Sequence, residues 1–237
     1  MTDKSKNNLI IQSSEVVKYN SLIKNSKMHE LKELYLFDSL TKIIDSNVKI
    51  TSNSTILELG FNEGTRLKKI ASYYKDSKVI GIEVRQSCVD KLVNEGYDCR
   101  LVNEEIFEIN EKFDVIYGYL MVHHLSIPYD YLKHLYSLLK PGGILFFPNE
   151  SYSTHIIGII LNTITGNWKY ETNMFKLSRR KLIKECHKIS NNFYIGYNGL
   201  LILYGFPKLN KIYRTLNLHK LPFFNDLSIF IKKDSNI

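Results

Sequence analysis

The run Leu57-Glu58-Leu59-Gly60-Phe61-Asn62-Glu63-Gly64-Thr65 joins an apolar stretch to a turn built from residues that tolerate positive φ. Gly60 and Gly64 carry no Cβ, and Asn62 is the next most tolerant residue type. A chain passing from strand to helix through such a turn presents backbone N–H groups at the helix start, and these suit an anionic or polar ligand. A dinucleotide fingerprint would need glycine where Asn62 stands and glycine or alanine where Thr65 stands. A phosphate-binding loop would need Gly-Lys-Ser/Thr, and that element is missing. Taken alone, the turn fits a polar ligand or a purely structural reversal.

Three later positions add chemistry. Glu83 closes the apolar run Val79-Ile80-Gly81-Ile82, where a carboxylate can accept two hydrogen bonds from a ribose diol. Asn103-Glu104-Glu105-Ile106-Phe107 sets polar groups beside apolar ones, a mixture suited to the edge and face of an adenine. His123 and His124 follow another apolar run, and a histidine that titrates near 6.5 is available as a neutral base at physiological pH. Glu150 and His155 are further candidate substrate contacts.

These groups need a frame that brings them together. Residues 55–60, 78–84, 98–102, 113–120 and 144–148 read as short apolar strands, and helical patterns over 65–74, 86–96 and from Pro128 onward separate them. Strands alternating with helices predict an α/β fold, Rossmann-like and doubly wound, with a mostly parallel sheet covered on both faces. Its ligand belongs at the carboxyl ends of the strands. Leu31, Leu34, Tyr35, Leu40, Ile43 and Ile44 predict an amphipathic leader helix over 28–44. Beyond 150, a helical stretch over 178–189 and strands at 192–198 and 227–233 complete a seven-stranded sheet. The segment between those two strands is too long for a simple hairpin loop, which predicts a structured insertion. The expected organisation is a leader or lid over 1–50, a ligand-binding core over 51–150, and a completing region over 151–237 with basic substrate-cap insertions, all in one integrated domain.

Composition narrows the partners. The 237 residues carry 32 Lys/Arg and 24 Asp/Glu, a net charge of +8. Residues 1–150 are near neutral, with 19 basic against 20 acidic side chains, whereas 151–220 hold 11 basic against 2 acidic. That asymmetry argues about partners rather than fold. No apolar run approaches the roughly 18 residues of a membrane span, no signal peptide is evident, and Cys88, Cys99 and Cys186 are scattered. A cytoplasmic chain without a metal site or a disulfide framework is the expectation.

In order and spacing, "LELGFNEG", "VIGIEV", "FDVIYGYLMVHHL" and "LKPGGILFF" over residues 54–150 resemble the class I S-adenosylmethionine-dependent methyltransferases of the type 11/12 kind. The resemblance implies S-adenosyl-L-methionine as cofactor. Its methionine portion would lie on Glu58, Gly60, Phe61, Asn62 and Gly64, and its ribose on Glu83 beside Val84. Its adenine would meet Glu105 or Glu104 with Ile106, and its sulfonium would sit over Tyr117 and Gly118. Two departures stand out: Asn62 replaces the more usual glycine, and glutamates replace the usual aspartate after the third strand.

Methyl transfer from a sulfonium is an in-line displacement, so the protein supplies alignment, desolvation and, for a hydroxyl acceptor, a base. His124, ahead of His123, is the candidate base. Tyr117-Gly118-Tyr119-Leu120 lacks the Asn/Asp-Pro-Pro-Tyr/Phe element of base-amine methylation, and no cysteine follows the fourth strand as cytosine C5 methylation requires. The expected acceptor is therefore a small molecule methylated at oxygen or nitrogen, with anionic acceptors favoured by the basic cap. Tyr19 is a candidate lid residue, and Trp168 and Tyr170 are candidate pocket walls. The basic insertion, with Tyr204, Phe206, Tyr213, Phe223 and Phe224, also suits RNA, a protein partner or an acidic membrane surface. A non-catalytic cofactor-binding module is the remaining alternative.

Overall fold

In a computed structural model, residues 27–102, 108–153, 156–165, 175–198, 206–221 and 225–235 are described. Tyr19, Glu104, Glu105, Ile106, His155, Trp168, Tyr170, Tyr204, Phe223 and Phe224 lie outside them. The elements run α1 (Lys27–Asn47), β1 (Thr55–Leu59), α2 (Thr65–Tyr73), β2 (Lys78–Glu83), α3 (Gln86–Asn94), β3 (Asp98–Leu101) and β4 (Phe113–Gly118). A 3-10 turn (Val122–His124), α4 (Pro128–Ser137), β5 (Leu139–Glu150), α5 (Ile156–Thr165) and α6 (Arg179–Cys186) follow. β6 (Phe193–Tyr197), α7 (Pro207–Thr215), a second 3-10 turn (Leu218–Lys220) and β7 (Leu227–Lys232) complete the order.

The seven strands form one sheet in the order β3-β2-β1-β4-β5-β7-β6. β1 to β5 are parallel, and β7 runs antiparallel between β5 and β6. Strand order reverses between β1 and β4, and such a switch point opens a crevice at the carboxyl ends of the strands. Alternate residues of each central strand serve the two faces. Leu57, Ile116, Leu145 and Phe147 pack with α4 and α6, joined by Leu132, Leu135 and Leu182. Ile56, Val115, Tyr117, Ile144 and Phe146 pack under α1 and α2, joined by Leu36, Leu40 and Ile44. With apolar side chains on both faces, the strands read as continuous apolar runs.

Two expectations need correction. Leu40 and Ile44 are buried on α1 as expected, with Leu36 and Glu33 buried beside them, whereas Leu34 is half exposed. β5 begins at Leu139 rather than Ile144 and runs through Lys140-Pro141-Gly142-Gly143. A Cβ on Gly143 would come within 3.0 Å of the Phe113 and Asp114 carbonyl oxygens. Glycine there lets the two strands approach, and the apparent loop becomes strand. The insertion between β6 and β7 is structured as expected, with α7 and a 3-10 turn inside it.

Candidate functional site at the β1–β4 switch point

β1 delivers Glu58 and Leu59 to the rim, and the chain turns through Gly60 (φ 66°), Asn62 (φ 54°) and Gly64 (φ 79°) before α2 begins. Three left-handed residues in five fold the turn into a cradle whose walls are backbone. The Gly60 N–H donates to the Ile82 carbonyl at 2.9 Å, tying the turn to β2. A Cβ on Gly60 would meet Met121 Cγ at 3.4 Å, so the loop after β4 faces the cradle. Of the four non-glycine residues with positive φ among the described residues, Asn62, Leu120 and Asn149 all stand at or beyond strand carboxyl ends. Such backbone is unfavourable for a leucine in particular, and it concentrates at working sites.

Glu83 ends β2 beside this turn and is buried. Its Oε2 accepts the Asn62 N–H at 2.7 Å, while Oε1 accepts the Val84 N–H at 2.9 Å and the Arg85 N–H at 3.3 Å. A carboxylate offers about four acceptor positions, so one remains for an incoming hydroxyl. The Arg85 guanidinium, also buried, donates to Asn62 Oδ1 and lies 3.7 Å from Glu83 Oε1. Glu83, Arg85 and Asn62 therefore lock the turn into one conformation. Val84 beside them is 39% exposed and offers an apolar face at the rim. Phe61 points the other way, into a cluster with Leu67, Val89 and Leu92. Its contribution to the turn is backbone.

Beneath the cradle lies a buried ionic chain. Glu58 is fully buried, accepts the Tyr117 hydroxyl at 2.8 Å on Oε2, and has Arg66 Nε 3.6 Å from Oε1. Arg66 in turn holds Glu33 of α1 through Nη1, at 3.0 and 2.8 Å to its two oxygens, and stacks 4.5 Å over the Tyr119 ring. Burial raises the Glu58 carboxyl to about 7 in spite of Arg66 and the Tyr117 hydroxyl, both of which lower it. Burial, followed by the Glu58 charge, raises the Tyr117 phenol well above its ordinary value. No hydrogen bond reaches Glu58 Oε1, so a buried acceptor stands directly under the turn. A Cβ on Gly118, at the end of β4, would lie 2.9 Å from the Leu59 carbonyl and 3.1 Å from Phe147, so glycine is required there by packing.

Past β4, the Glu150 carboxylate gathers the next loop. It accepts the Met121 N–H at 3.0 Å, the His123 N–H at 3.2 Å and the His123 ring at Nδ1 at 2.6 Å. A carboxylate already taking backbone donors fixes the proton on Nδ1, leaving Nε2 as the basic nitrogen of His123. His123 is 2% exposed, and its ring centroid is 4.1 Å from that of half-buried His124. Glu150, expected as a substrate contact, is fully buried as the clamp of this loop.

The frame and this rim match known proteins. Residues 57–145 fit a family model described as a methyltransferase domain. That match runs from β1 into β5, the part of the sheet that carries the rim. The chain is 24% identical over 220 residues to the putative methyltransferase 235L of Invertebrate iridescent virus 6, covering 88% of this chain and 78% of that protein. It is 23% identical over 163 residues to a ubiquinone biosynthesis O-methyltransferase of Coxiella burnetii, covering 63% and 68%. Among solved structures it is similar to the plantazolicin methyltransferase BpumL, in complex with a pentazolic desmethylPZN analog and SAH. That likeness has a TM-score of 0.67 at 14% identity, covers 99% of this chain and 100% of that one, and carries the fold.

The residues present fit the family's cofactor, S-adenosyl-L-methionine. A backbone-lined cradle accepts a close ligand without side-chain collision. The buried Glu58 Oε1 beneath it makes no hydrogen bond and faces Arg66 Nε at 3.6 Å, so an ammonium group there would add the first hydrogen-bond donor to this oxygen. Glu83 keeps one acceptor position for a ribose hydroxyl. Of the residues expected from sequence, Gly60, Asn62, Gly64, Glu83 and Val84 come together at one rim, with Glu58 and Tyr117 just below. Arg66, Arg85 and Glu33 escaped the sequence reading. An arginine two residues after Glu83 and an arginine inside the first turn of α2 were the available signals.

Proposed function

We propose that the chain is an S-adenosylmethionine-dependent methyltransferase that transfers a methyl group to an oxygen or nitrogen of a small-molecule acceptor, with anionic acceptors favoured. S-adenosyl-L-methionine supplies the electrophilic methyl group. The chain's own residues bind, orient and exclude water. Gly60, Asn62 and Gly64 hold the methionine portion against backbone, Glu58 accepts its ammonium, Glu83 accepts a ribose hydroxyl, and Val84 covers the adenine face. Tyr117 and Gly118 form the floor. A floor of buried side chains keeps water from the reacting centre and lets alignment dominate the rate.

His124, half-buried beside the clamped His123, is the proposed base for a hydroxyl acceptor. His123, held by Glu150, fixes the loop and the ring it touches. Positioning of a base by a neighbour that a carboxylate locks is a recurring arrangement in proton-transfer sites. An O-methyltransferase among the relatives supports the oxygen acceptor, and the basic region over 151–220 supports an anionic one.

The observation that carries this reading is the hydrogen bond from the Asn62 N–H to Glu83, which joins the proposed methionine and ribose subsites in one rigid unit. Titration calorimetry with S-adenosylhomocysteine tests it. The folded protein should bind, and Glu83→Ala should bind at least about tenfold more weakly, as expected for a lost hydrogen bond to a charged group. Absence of binding by the folded protein overturns the cofactor assignment. Binding without methyl transfer from labelled cofactor into any extract overturns the enzymatic one.

A further inference from the structure

Residues 206–221 contain Lys208, Lys211, Arg214 and Lys220 and no acidic side chain. Pro207 starts α7 at a position where its missing N–H costs little. Two side chains fasten the helix to the body. The Tyr213 hydroxyl donates to Asn225 Oδ1, and Arg214 Nη2 donates to the Tyr35 hydroxyl of α1 at 2.8 Å. Asn225 Nδ2 also donates to the Leu218 and Leu221 carbonyls, at 2.8 and 2.7 Å, which fixes the 3-10 turn that extends the same segment.

With Tyr213 and Arg214 held inward, helical geometry sets Leu209, Ile212 and Leu216 within one arc of about 60° on the free side. They are 52%, 57% and 62% exposed, with Phe206 at 47% and Leu221 at 45% at the two ends of the segment. Exposed Lys208 borders the arc, exposed Lys211 lies further round the same flank, and exposed Lys220 adjoins Leu221. Single exposed apolar residues are ordinary, but five in one anchored segment of sixteen mark a binding face. α5, in the same basic third of the chain, adds Ile156, Ile160 and Ile164, exposed at four-residue spacing on a helix with no charged residue.

The chemistry of this face selects among partners. Nucleic acid would take the lysines but offers nothing to the exposed leucines and isoleucines, since bases stack on aromatic rings and guanidinium planes. A second copy would bring Lys208 and Lys211 of both copies together across an apolar contact, where like charges repel. A bilayer surface with anionic headgroups meets both requirements. Lysines pair with the headgroups, and aliphatic side chains enter the boundary with the acyl chains. Among the described residues, no helix is long and apolar enough to cross a membrane, so this contact would lie on the surface.

We propose that the face formed by α7 and the turn after it docks the methyltransferase on membranes containing anionic phospholipid. Flotation of the full-length protein with vesicles of phosphatidylcholine, with and without phosphatidylglycerol, is the test. The protein should float with the phosphatidylglycerol vesicles, stay behind with phosphatidylcholine alone, and release as salt rises. Leu209→Ser with Ile212→Ser, and separately Lys208→Glu with Lys211→Glu, should each weaken binding on the order of tenfold or more. Both pairs are exposed, and unchanged thermal midpoints would confirm that the variants fold. Failure to float with phosphatidylglycerol vesicles, or equal flotation of either double variant, overturns the proposal. Binding of an RNA oligonucleotide that survives the serine substitutions, without flotation, would assign the face to nucleic acid instead. Loss of self-association in the serine variant, without flotation, would assign it to a second copy.

Discussion

Glu58→Gln isolates the electrostatics of the buried chain beneath the cradle. Burial lifts the Glu58 carboxyl from 4.5 to about 7 in the folded protein, while the unfolded chain ionises near 4.5. Between those pH values the unfolded chain has lost the proton and the folded protein still holds it. Stability linked to this group is therefore full below 4.5, falls as pH rises through the window, and levels off above about 7. At about 1.4 kcal/mol per pH unit, the whole loss is about 3 kcal/mol. Glutamine cannot ionise, and its amide oxygen can still accept the Tyr117 hydroxyl, so the variant should lack this slope while keeping the fold. Urea unfolding of both proteins at intervals across the window gives the difference directly, with other titrating groups cancelling in the comparison. Parallel pH profiles would refute the reasoning, because Glu58 would then ionise in the fold as it does in the unfolded chain. A ligand ammonium at Oε1 would also favour the ionised form. Affinity for S-adenosylhomocysteine should therefore rise with pH through about 7 in the parent protein and lose that dependence in Glu58→Gln.

Gly64→Ala should cost about 2–4 kcal/mol in denaturant unfolding, since it adds left-handed strain to a Cβ that would collide with Leu92 Cδ1. Gly60→Ala, with its nearest contact at 3.4 Å, should cost only the strain, about 1–2 kcal/mol. Arg66→Met should destabilise by about 3–5 kcal/mol, because Glu33 and Glu58 would lose their buried cation, and Glu33→Leu in the same chain should recover part of that. His124→Ala should lower kcat about 10²–10⁴-fold, with stability nearly unchanged. His123→Ala should instead unfold at lower denaturant, by about 1–3 kcal/mol, because Glu150 Oε2 loses the ring donor and keeps only the backbone N–H.

Local chemistry accounts for what was legible in the sequence. The strands announced themselves as short apolar runs because both sheet faces are covered, and Gly60, Asn62 and Gly64 announced the turn because few other residues tolerate its backbone. What escaped is long-range. Glu33 and Arg66 are 33 positions apart, and nothing in the periodicity of α1 signals that one acidic residue on it is buried. Pro141-Gly142-Gly143 reads as a loop by the residue preferences of turns, yet Gly143 is glycine because β4 lies too close for any side chain.

The same long-range contacts give the site its coherence. Glu33 ties the leader helix to Arg66, Arg66 faces Glu58, and Glu58 joins Tyr117 at the end of β4. Beside them, Arg85 holds Asn62, and Glu83 holds the N–H of the same residue. Two arginines, each facing buried acceptors, therefore fix the cradle from below and from the side. A ligand entering this turn meets backbone already in place, so little ordering cost remains at binding. An uncompensated charge would make either arrangement unstable, because each buried carboxylate depends on the cation it faces. Rigidity at this rim thus follows from burial, and burial follows from the leader helix closing over β1 and β4.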